Sequence, residues 1–157
     1  MLAFWIIAAA LLTAGIVFYN QLILNRNLVA EAFSGVDVQL KKRHDLIPNI
    51  VETVKGYKQH EQKTLEEIVK LRNQVMTVSS VQEKGALENN LSIALKNIFA
   101  LAEAYPDLKA DKNFLDLQRT LITIEDDLQM ARRYYNGTVR NLNVIVESFP
   151  GNLVANA

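Results

Sequence analysis

The sequence predicts an all-α protein, in which an N-terminal transmembrane helix continues into an antiparallel, up-and-down four-helix bundle. Two observations predict this fold. The stretch Met1–Tyr19 is apolar, and the first charged residue of the chain is Arg26. Beyond that point, apolar residues recur at steps of three and four along most of the chain, which is the period of helices with one buried face.

The first element is the apolar stretch at the N-terminus. About 20 apolar residues in a helix cross the ~30 Å hydrocarbon core of a bilayer, so we expect residues 1–24 to form a membrane span. Trp5 and Tyr19 lie near its ends, where interfacial aromatic residues are common. A cleaved secretory signal and a buried core helix are the alternatives. However, no Lys or Arg precedes the apolar run, and the remaining chain is too polar to enclose it.

The first and second bundle helices are predicted on either side of a turn. The span continues without Gly or Pro into an amphipathic helix over residues 20–43. A turn is predicted at the sequence RHDLIP, because Asp45 can cap a new helix and Pro48 is tolerated in a first helical turn. The second helix, over residues 46–76, carries a coiled-coil-like apolar seam.

The third helix is predicted over residues 81–105, beginning at Val81 or Ala86. Pro106 ends it, because the residue before a proline is pushed out of helical dihedral angles. The following PDLKAD is interpreted as a loop.

The fourth helix, over residues 112–149, has the most regular period of the chain. Asp111 or Asn113 is its expected cap. Pro150 and Gly151 end it. The predicted division is therefore a span (1–24), a bundle (25–150) and a short tail (151–157).

Composition narrows the class of function. The chain of 157 residues has 17 basic and 17 acidic side chains and no cysteine. Balanced charge argues against nucleic acid as a partner, since phosphate binding requires clustered cations. His44 and His60 do not share a helix face with a Glu-x-x-His motif, and the glycines are isolated. We expect no catalytic residues, no metal and no cofactor.

Some polar residues are not required by the helical pattern itself, and they form the candidate interaction surface. Its members are Asp37, Arg43, His44, Asp45, Asn49, Tyr105, Asp107, Arg132, Arg133 and Asn136. For Arg132 and Arg133, an ion-pair network with neighbouring helices is favoured over a nucleic-acid site. The acidic run from Glu125 to Asp127 is interpreted as solvated.

Three functions remain open from the residues. The first is a non-enzymatic, membrane-anchored scaffold or adaptor that binds protein partners or itself. The second is a homo-oligomer that organises or shapes the membrane through small residues of the span, Ala8 to Ala10 and Gly15. The third, which the sequence disfavours, is a metal-dependent or hydrolytic enzyme.

The cations of the chain predict its orientation. No Lys or Arg precedes the span, whereas Arg26 and Lys41 to Arg43 follow it. The excess of Lys and Arg on the cytoplasmic side of spans predicts an N-terminus outside and a bundle in the cytoplasm. In an up-and-down bundle the fourth helix would then bring residues 149–157 back to the membrane face, with the RHDLIP turn at the far end.

Three stretches of the sequence resemble the LemA family of bacterial membrane proteins. They are Glu31–Glu67 with RHDLIP, Leu101–Gln118 with AYPDLKA, and Ala131–Ala155 with FPGNLVA. The resemblance implies a single span in the inner membrane, a short extracytoplasmic N-terminus and a cytoplasmic helical bundle. It implies no catalytic activity and no catalytic residues. Relatives tend to continue past FPGNLVA with a further apolar tail.

Overall fold

The computed structural model describes residues 1–56 and 62–155, and every regular element in these ranges is a helix. The helices are α1 (Leu2–Lys55), α2 (Gln62–Thr77), α3 (Val81–Ala102), α4 (Pro106–Ala110), α5 (Lys112–Glu147) and α6 (Gly151–Ala155). The N-terminal part of α1 is long and apolar enough to cross a membrane, and none of it is buried. The described remainder of the chain therefore does not enclose it. The all-α class and the apolar N-terminal helix are confirmed.

The chain divides into two compact units. The first unit contains residues 1–39 and the described residues from Asp127 onward, and the second unit is Leu40–Asp126. Both α1 and α5 contribute to both units. The up-and-down arrangement of a whole bundle stays a prediction.

The predicted turn at RHDLIP is wrong. Helix α1 continues through this sequence to Lys55, and Asp45 caps nothing because it lies inside the helix. Pro48 is also inside α1, with an exposed ring. The second predicted helix, over residues 46–76, is therefore divided: residues 46–55 belong to α1, and residues 62–76 belong to α2. The part of the prediction on residues 57–61 lies outside the described residues.

A hydrogen bond from another helix explains how α1 tolerates its proline. Pro48 has no N–H, so it cannot donate to the carbonyl of His44 one turn earlier. Instead, Arg72 Nε on α2 donates to the His44 carbonyl oxygen at 2.8 Å. The core residues on either side of Pro48, Ile47 and Ile50, are completely buried, and their burial favours continuation of the helix.

This exchange of donors predicts that Arg72 and position 48 are energetically coupled. Arg72→Met is expected to lower the free energy of unfolding by about 1–2 kcal/mol, because the His44 carbonyl loses its donor. With Pro48→Ala, the alanine N–H can donate instead, so Arg72→Met should cost less than about half as much. Chemical unfolding of the unsubstituted chain, the two single variants and the double variant in detergent micelles measures the coupling. Additive costs would contradict it.

The second unit has an apolar core to which α2, α3, α4 and the adjoining parts of α1 and α5 all contribute. Helices α2 and α3 contact each other and are joined by the short connection at residues 78–80. The core includes Ile47, Ile50, Val54, Leu65, Ile68, Leu91, Leu95, Ile98, Leu108, Phe114 and Leu121.

Helix starts in the second unit follow local capping chemistry. The Ser80 side chain accepts from the N–H of Glu83, so α3 begins at Val81 and not at Ala86. The Asp111 carboxylate accepts from the N–H of Phe114 at 2.8 Å, which selects Asp111 over Asn113 as the α5 cap. The predicted PDLKAD loop is wrong in part. Pro106–Ala110 form the short helix α4, which buries Leu108 in the core.

The first unit pairs the C-terminal part of α5 with α1. The covered residues of α1 include Phe18, Leu22, Asn25, Val29, Ala32 and Val36, and those of α5 include Leu128, Ala131, Tyr135, Thr138, Leu142 and Ile145. Both sets alternate steps of three and four, as in a coiled-coil seam. The rings of Phe33 and Tyr135 contact each other, with centroids 5.7 Å apart.

The pairing in the first unit is antiparallel. If α5 ran parallel to α1 from the Phe33–Tyr135 contact, it would leave the seam from Phe18 to Val29 uncovered. Those residues are at least partly covered, and the described residues after Asp127 group with residues 1–39. The end of α5 therefore lies beside the last turns of the apolar segment.

Helix α6 is held against the end of α5 by a close backbone approach. A Cβ atom at Gly151 would overlap the backbone carbonyl of Ile145, so a residue without a side chain is required there. The N–H of Asn152 donates to the Ser148 carbonyl at 2.8 Å, and the N–H of Leu153 donates to the Pro150 carbonyl at 3.1 Å. The predicted tail is thus helical over residues 151–155.

Candidate functional site

The most concentrated polar chemistry of the second unit is a buried network around Arg43. Arg43 and His44 lie on α1, with 0% and 7% of their surfaces exposed. They are buried because the helix continues through the predicted turn and places them in step with Leu40 and Ile47, which are also buried. We call Arg43, His44, Glu88, Ser92 and Glu125 the Arg43 network.

Arg43 joins three helices at this point. Its Nη2 forms an ion pair with the Glu88 carboxylate on α3 and donates to the Glu88 backbone carbonyl at 3.1 Å. Its Nη1 donates to Ser92 Oγ at 2.8 Å and to Glu125 Oε1 on α5 at 2.7 Å. A guanidinium group suits this role, because its planar fork can bond several acceptors at once.

The Glu88 carboxylate is the most deeply buried acid of the network. Its side chain is 3% exposed, and its second oxygen lies 2.9 Å from His44 Nε2. Burial alone would raise the pKa of Glu88. The hydrogen bond with His44 and the positive charge of Arg43 outweigh burial, so the pKa of Glu88 lies below its ordinary value.

The lowered pKa has a defined consequence for stability. A carboxyl group with a depressed pKa in the folded state stabilises the fold at pH values above its unfolded pKa. That contribution is lost as the pH falls through the folded pKa of Glu88.

The geometry of the Arg43 network supports a structural role. Both Glu88 oxygens already have partners, and Arg43 faces two carboxylates, so the charges are compensated inside the unit. Within residues 1–56 and 62–155, no group of three or more His, Asp or Glu residues is arranged to hold a metal ion. A compensated buried network specifies how the helices align.

The structure corrects the candidate interaction surface at two positions. Arg43 and His44 are buried, so they cannot contribute to a docking surface. Tyr105 is partly buried, packs against the core and stands at the N-cap of α4. The remaining predicted members are exposed, namely Asp37, Asp45, Asn49, Asp107, Arg132, Arg133 and Asn136.

The exposed members are divided between the two units. Asp37, Arg132, Arg133 and Asn136 belong to the first unit, and Asp45, Asn49 and Asp107 to the second. That they form one surface stays a prediction.

Among the described residues, the favoured ion-pair network of Arg132 and Arg133 is not formed. Across the described part of the chain, neither residue makes an ion pair with an acidic side chain. Arg133 Nε donates to the Gln129 carbonyl of its own helix, at 3.4 Å. Both side chains are exposed, so these guanidinium groups face solvent.

Three residues of the Arg43 network were not predicted from sequence. The acidic run from Glu125 to Asp127 predicts a solvated side chain, and Glu88 and Ser92 are absent from the predicted surface. A usable signal does exist for Glu88, which precedes Leu91 and Leu95 by one and two helical turns on the buried face of α3. A lone acid in phase with an apolar stripe indicates a buried partner of opposite charge.

Comparison with known proteins assigns the family. The model of the LemA family matches residues 32–157, which is most of the chain. One relative is Protein LemA of Metamycoplasma hominis, which is 28% identical over 163 aligned positions covering 97% of this chain and 73% of the relative. The matched region includes all of the second unit, and with it the Arg43 network. The chain belongs to the LemA family.

Proposed function

We propose that this protein is a non-enzymatic scaffold, anchored in a membrane by residues 1–24, whose helical region binds protein partners or further copies of itself. The observation that carries the proposal is the composition of one exposed face of α5. Arg133 and Tyr134 lie three and four residues after Met130, so the three side chains share one side of the helix, which we call the α5 outer face.

The α5 outer face has the chemistry of an interface centre. Met130 and Tyr134 are 55% and 54% exposed. Met, Tyr and Arg are enriched in protein interfaces, and Tyr and Arg frequently carry most of the binding energy. Because Arg133 forms no ion pair with the described residues, its charge is available to an acidic group of a partner.

A charge-reversal variant of this face tests the function. Arg133→Glu with Tyr134→Ala is expected to weaken partner binding by at least 2 kcal/mol, which is about 30-fold or more. The measurement is in-cell crosslinking of the full chain, followed by identification and quantification of the crosslinked proteins. Mass photometry of the detergent-extracted chain shows whether the partner is a second copy.

The matched control lies on the same helix. Arg119→Glu with Ile122→Ala changes the same charge and removes a similarly exposed apolar side chain, since Ile122 is 56% exposed. This control should keep its crosslinked proteins and its oligomeric size. If both double variants keep the same partners and size as the unsubstituted chain, the scaffold proposal fails at this face.

We also propose that the span lies in a bacterial inner membrane, with the N-terminus outside and the helical region in the cytoplasm. The support is the asymmetry of cations, with Arg26, Lys41 and Lys42 following the span. Since the chain has no cysteine, single cysteines are clean probes. A membrane-impermeant maleimide should label Leu2→Cys in intact cells and Asn141→Cys only after permeabilisation. The opposite pattern would reverse the orientation.

A further inference from the structure

The C-terminal segment of the first unit presents two unusually exposed apolar side chains. Phe149 is 79% exposed and Leu153 is 64% exposed. Among the described residues outside 1–24, no other large apolar side chain is as exposed. A single exposed apolar residue needs no explanation, but two close together on an ordered segment do.

The segment lies level with the end of the apolar span. Phe149 follows Tyr135 by as many residues as Tyr19 precedes Phe33, and Tyr135 and Phe33 are in contact. Because α5 runs antiparallel to α1 in this unit, Phe149 and Tyr19 come to the same level, to within about one helical turn of 5.4 Å. Tyr19, which is 55% exposed, ends the apolar stretch Met1–Tyr19 and lies within the last turns of the predicted span, residues 1–24.

Charge is absent from both chain segments at this level. The sequence has no charged side chain before Arg26 and none after Glu147. These two residues belong to the two antiparallel helices of the first unit. The helices therefore carry charge only on one side of the level at which the span ends, as expected where a membrane surface begins.

The segment is also held in place. Gly151 permits the close approach to the Ile145 carbonyl, and two backbone hydrogen bonds connect α6 to the residues just before it. The two apolar side chains are thus displayed on an ordered backbone, so little conformational entropy is lost when they leave water.

We propose that Phe149 and Leu153 insert into the interfacial layer of the membrane, on the side where the span emerges. The occupant of this apolar surface is the lipid bilayer, because the surface is continuous with the span that already enters it. The protein then contacts the membrane at two points, which limits the tilt of the first unit. The inference rests on the span being a membrane anchor and is independent of the scaffold proposal.

Fluorescence quenching by brominated lipids tests this contact in the full chain. Trp5 is the single tryptophan and is replaced by phenylalanine in all variants. Phe149→Trp and Leu153→Trp are then reconstituted separately into phosphatidylcholine vesicles whose acyl chains are brominated close to the headgroup. Interfacial residues lie about 5–10 Å into the headgroup and acyl boundary, so both should lose more than about half of their emission.

Met130→Trp is the matched control. Met130 is exposed on α5 of the same unit, about 25 Å along that helix from its end at Glu147, which lies two residues before Phe149. It tests whether an introduced tryptophan is drawn to lipid by itself, and its emission should be nearly unquenched. Circular dichroism checks that all variants remain equally helical.

Two results would overturn the proposal. The first is equal quenching of tryptophan at positions 149, 153 and 130. The second is a blue-shifted emission at positions 149 and 153 that brominated lipids do not quench, which would show that protein, such as a second copy of the chain, covers the segment.

Discussion

Arg43→Met is expected to lower the free energy of unfolding by about 3–5 kcal/mol, which is the usual cost of removing one partner of a buried ion pair. Methionine fills a similar volume, so the main loss is electrostatic. Glu88, with a side chain that is 3% exposed, would keep only His44 as a partner of its carboxylate. Chemical unfolding of the full chain in detergent micelles, followed by circular dichroism, measures the change.

Two comparisons separate the buried charge from a general effect of losing an arginine. Arg119→Met removes an exposed arginine whose ion pair with Asp116 has a distance of 3.5 Å, and it should change stability by less than about 0.5 kcal/mol. Adding Glu88→Gln to Arg43→Met neutralises the stranded carboxylate and should recover part of the loss. If the double variant is no more stable than Arg43→Met alone, the cost does not come from the unpaired carboxylate.

Acid provides a second readout of the same residues. Because the folded pKa of Glu88 lies below the ordinary carboxyl value of 4.5, the folded state binds fewer protons than the unfolded state in this range. Stability of the unsubstituted chain should therefore fall as the pH drops below that value. The fall should be smaller in Glu88→Gln, which has no proton to bind at this position. Parallel pH profiles for the two chains would contradict the assignment to Glu88.

Leu11→Asp with Leu12→Asp is expected to abolish stable membrane integration. Each acidic residue near the centre of a span costs about 2.5–3.5 kcal/mol, or about 5–7 kcal/mol for the pair. Extraction of membranes at alkaline pH should move this variant to the soluble or aggregated fraction. Asn27→Asp with Ala30→Asp adds the same charges at exposed positions of α1 beyond the span and should stay in the membrane.

The span prediction has two further outcomes. If the variant with charges in the span remains integrated, residues 1–24 are not the anchor. Intact-mass measurement of the unsubstituted chain, extracted from membranes, distinguishes an uncleaved anchor from a processed secretory signal. We expect the mass of the full chain, 17.7 kDa.

Local chemistry predicted the helix starts well where side chains act on their own backbone. Asp111 caps α5, because a carboxylate at that spacing satisfies a free N–H of the first turn. Pro48 was misleading for the same local reason. A proline favours a helix start, but its cost inside α1 is offset by Arg72, which donates to the His44 carbonyl from a helix distant in sequence.

The Arg43 network could not be predicted from the residue pattern of any single helix. The sequence RHDLIP predicts a turn at Arg43 and His44, where a cation suits the end of a helix and faces water. Their spacing from Leu40 and Ile47 also fits a continuous buried face. The local sequence does not distinguish a turn from a buried helix here. Arg43 can be buried only if Glu88 of α3 and Glu125 of α5 lie close enough to compensate its positive charge.

The sequence by itself determined that this protein is helical, that its N-terminal segment can cross a membrane, and that α3 and α5 each start at one of two candidate positions. These features depend on composition, period and contacts between residues a few positions apart. Only the tertiary structure decided that α1 runs unbroken to Lys55, that Arg43 is buried, and, through the contact of Phe33 with Tyr135, at which level of α1 the end of α5 lies. Each of those outcomes depends on groups brought together from distant parts of the chain, whose burial and hydrogen bonds outweigh the local preferences.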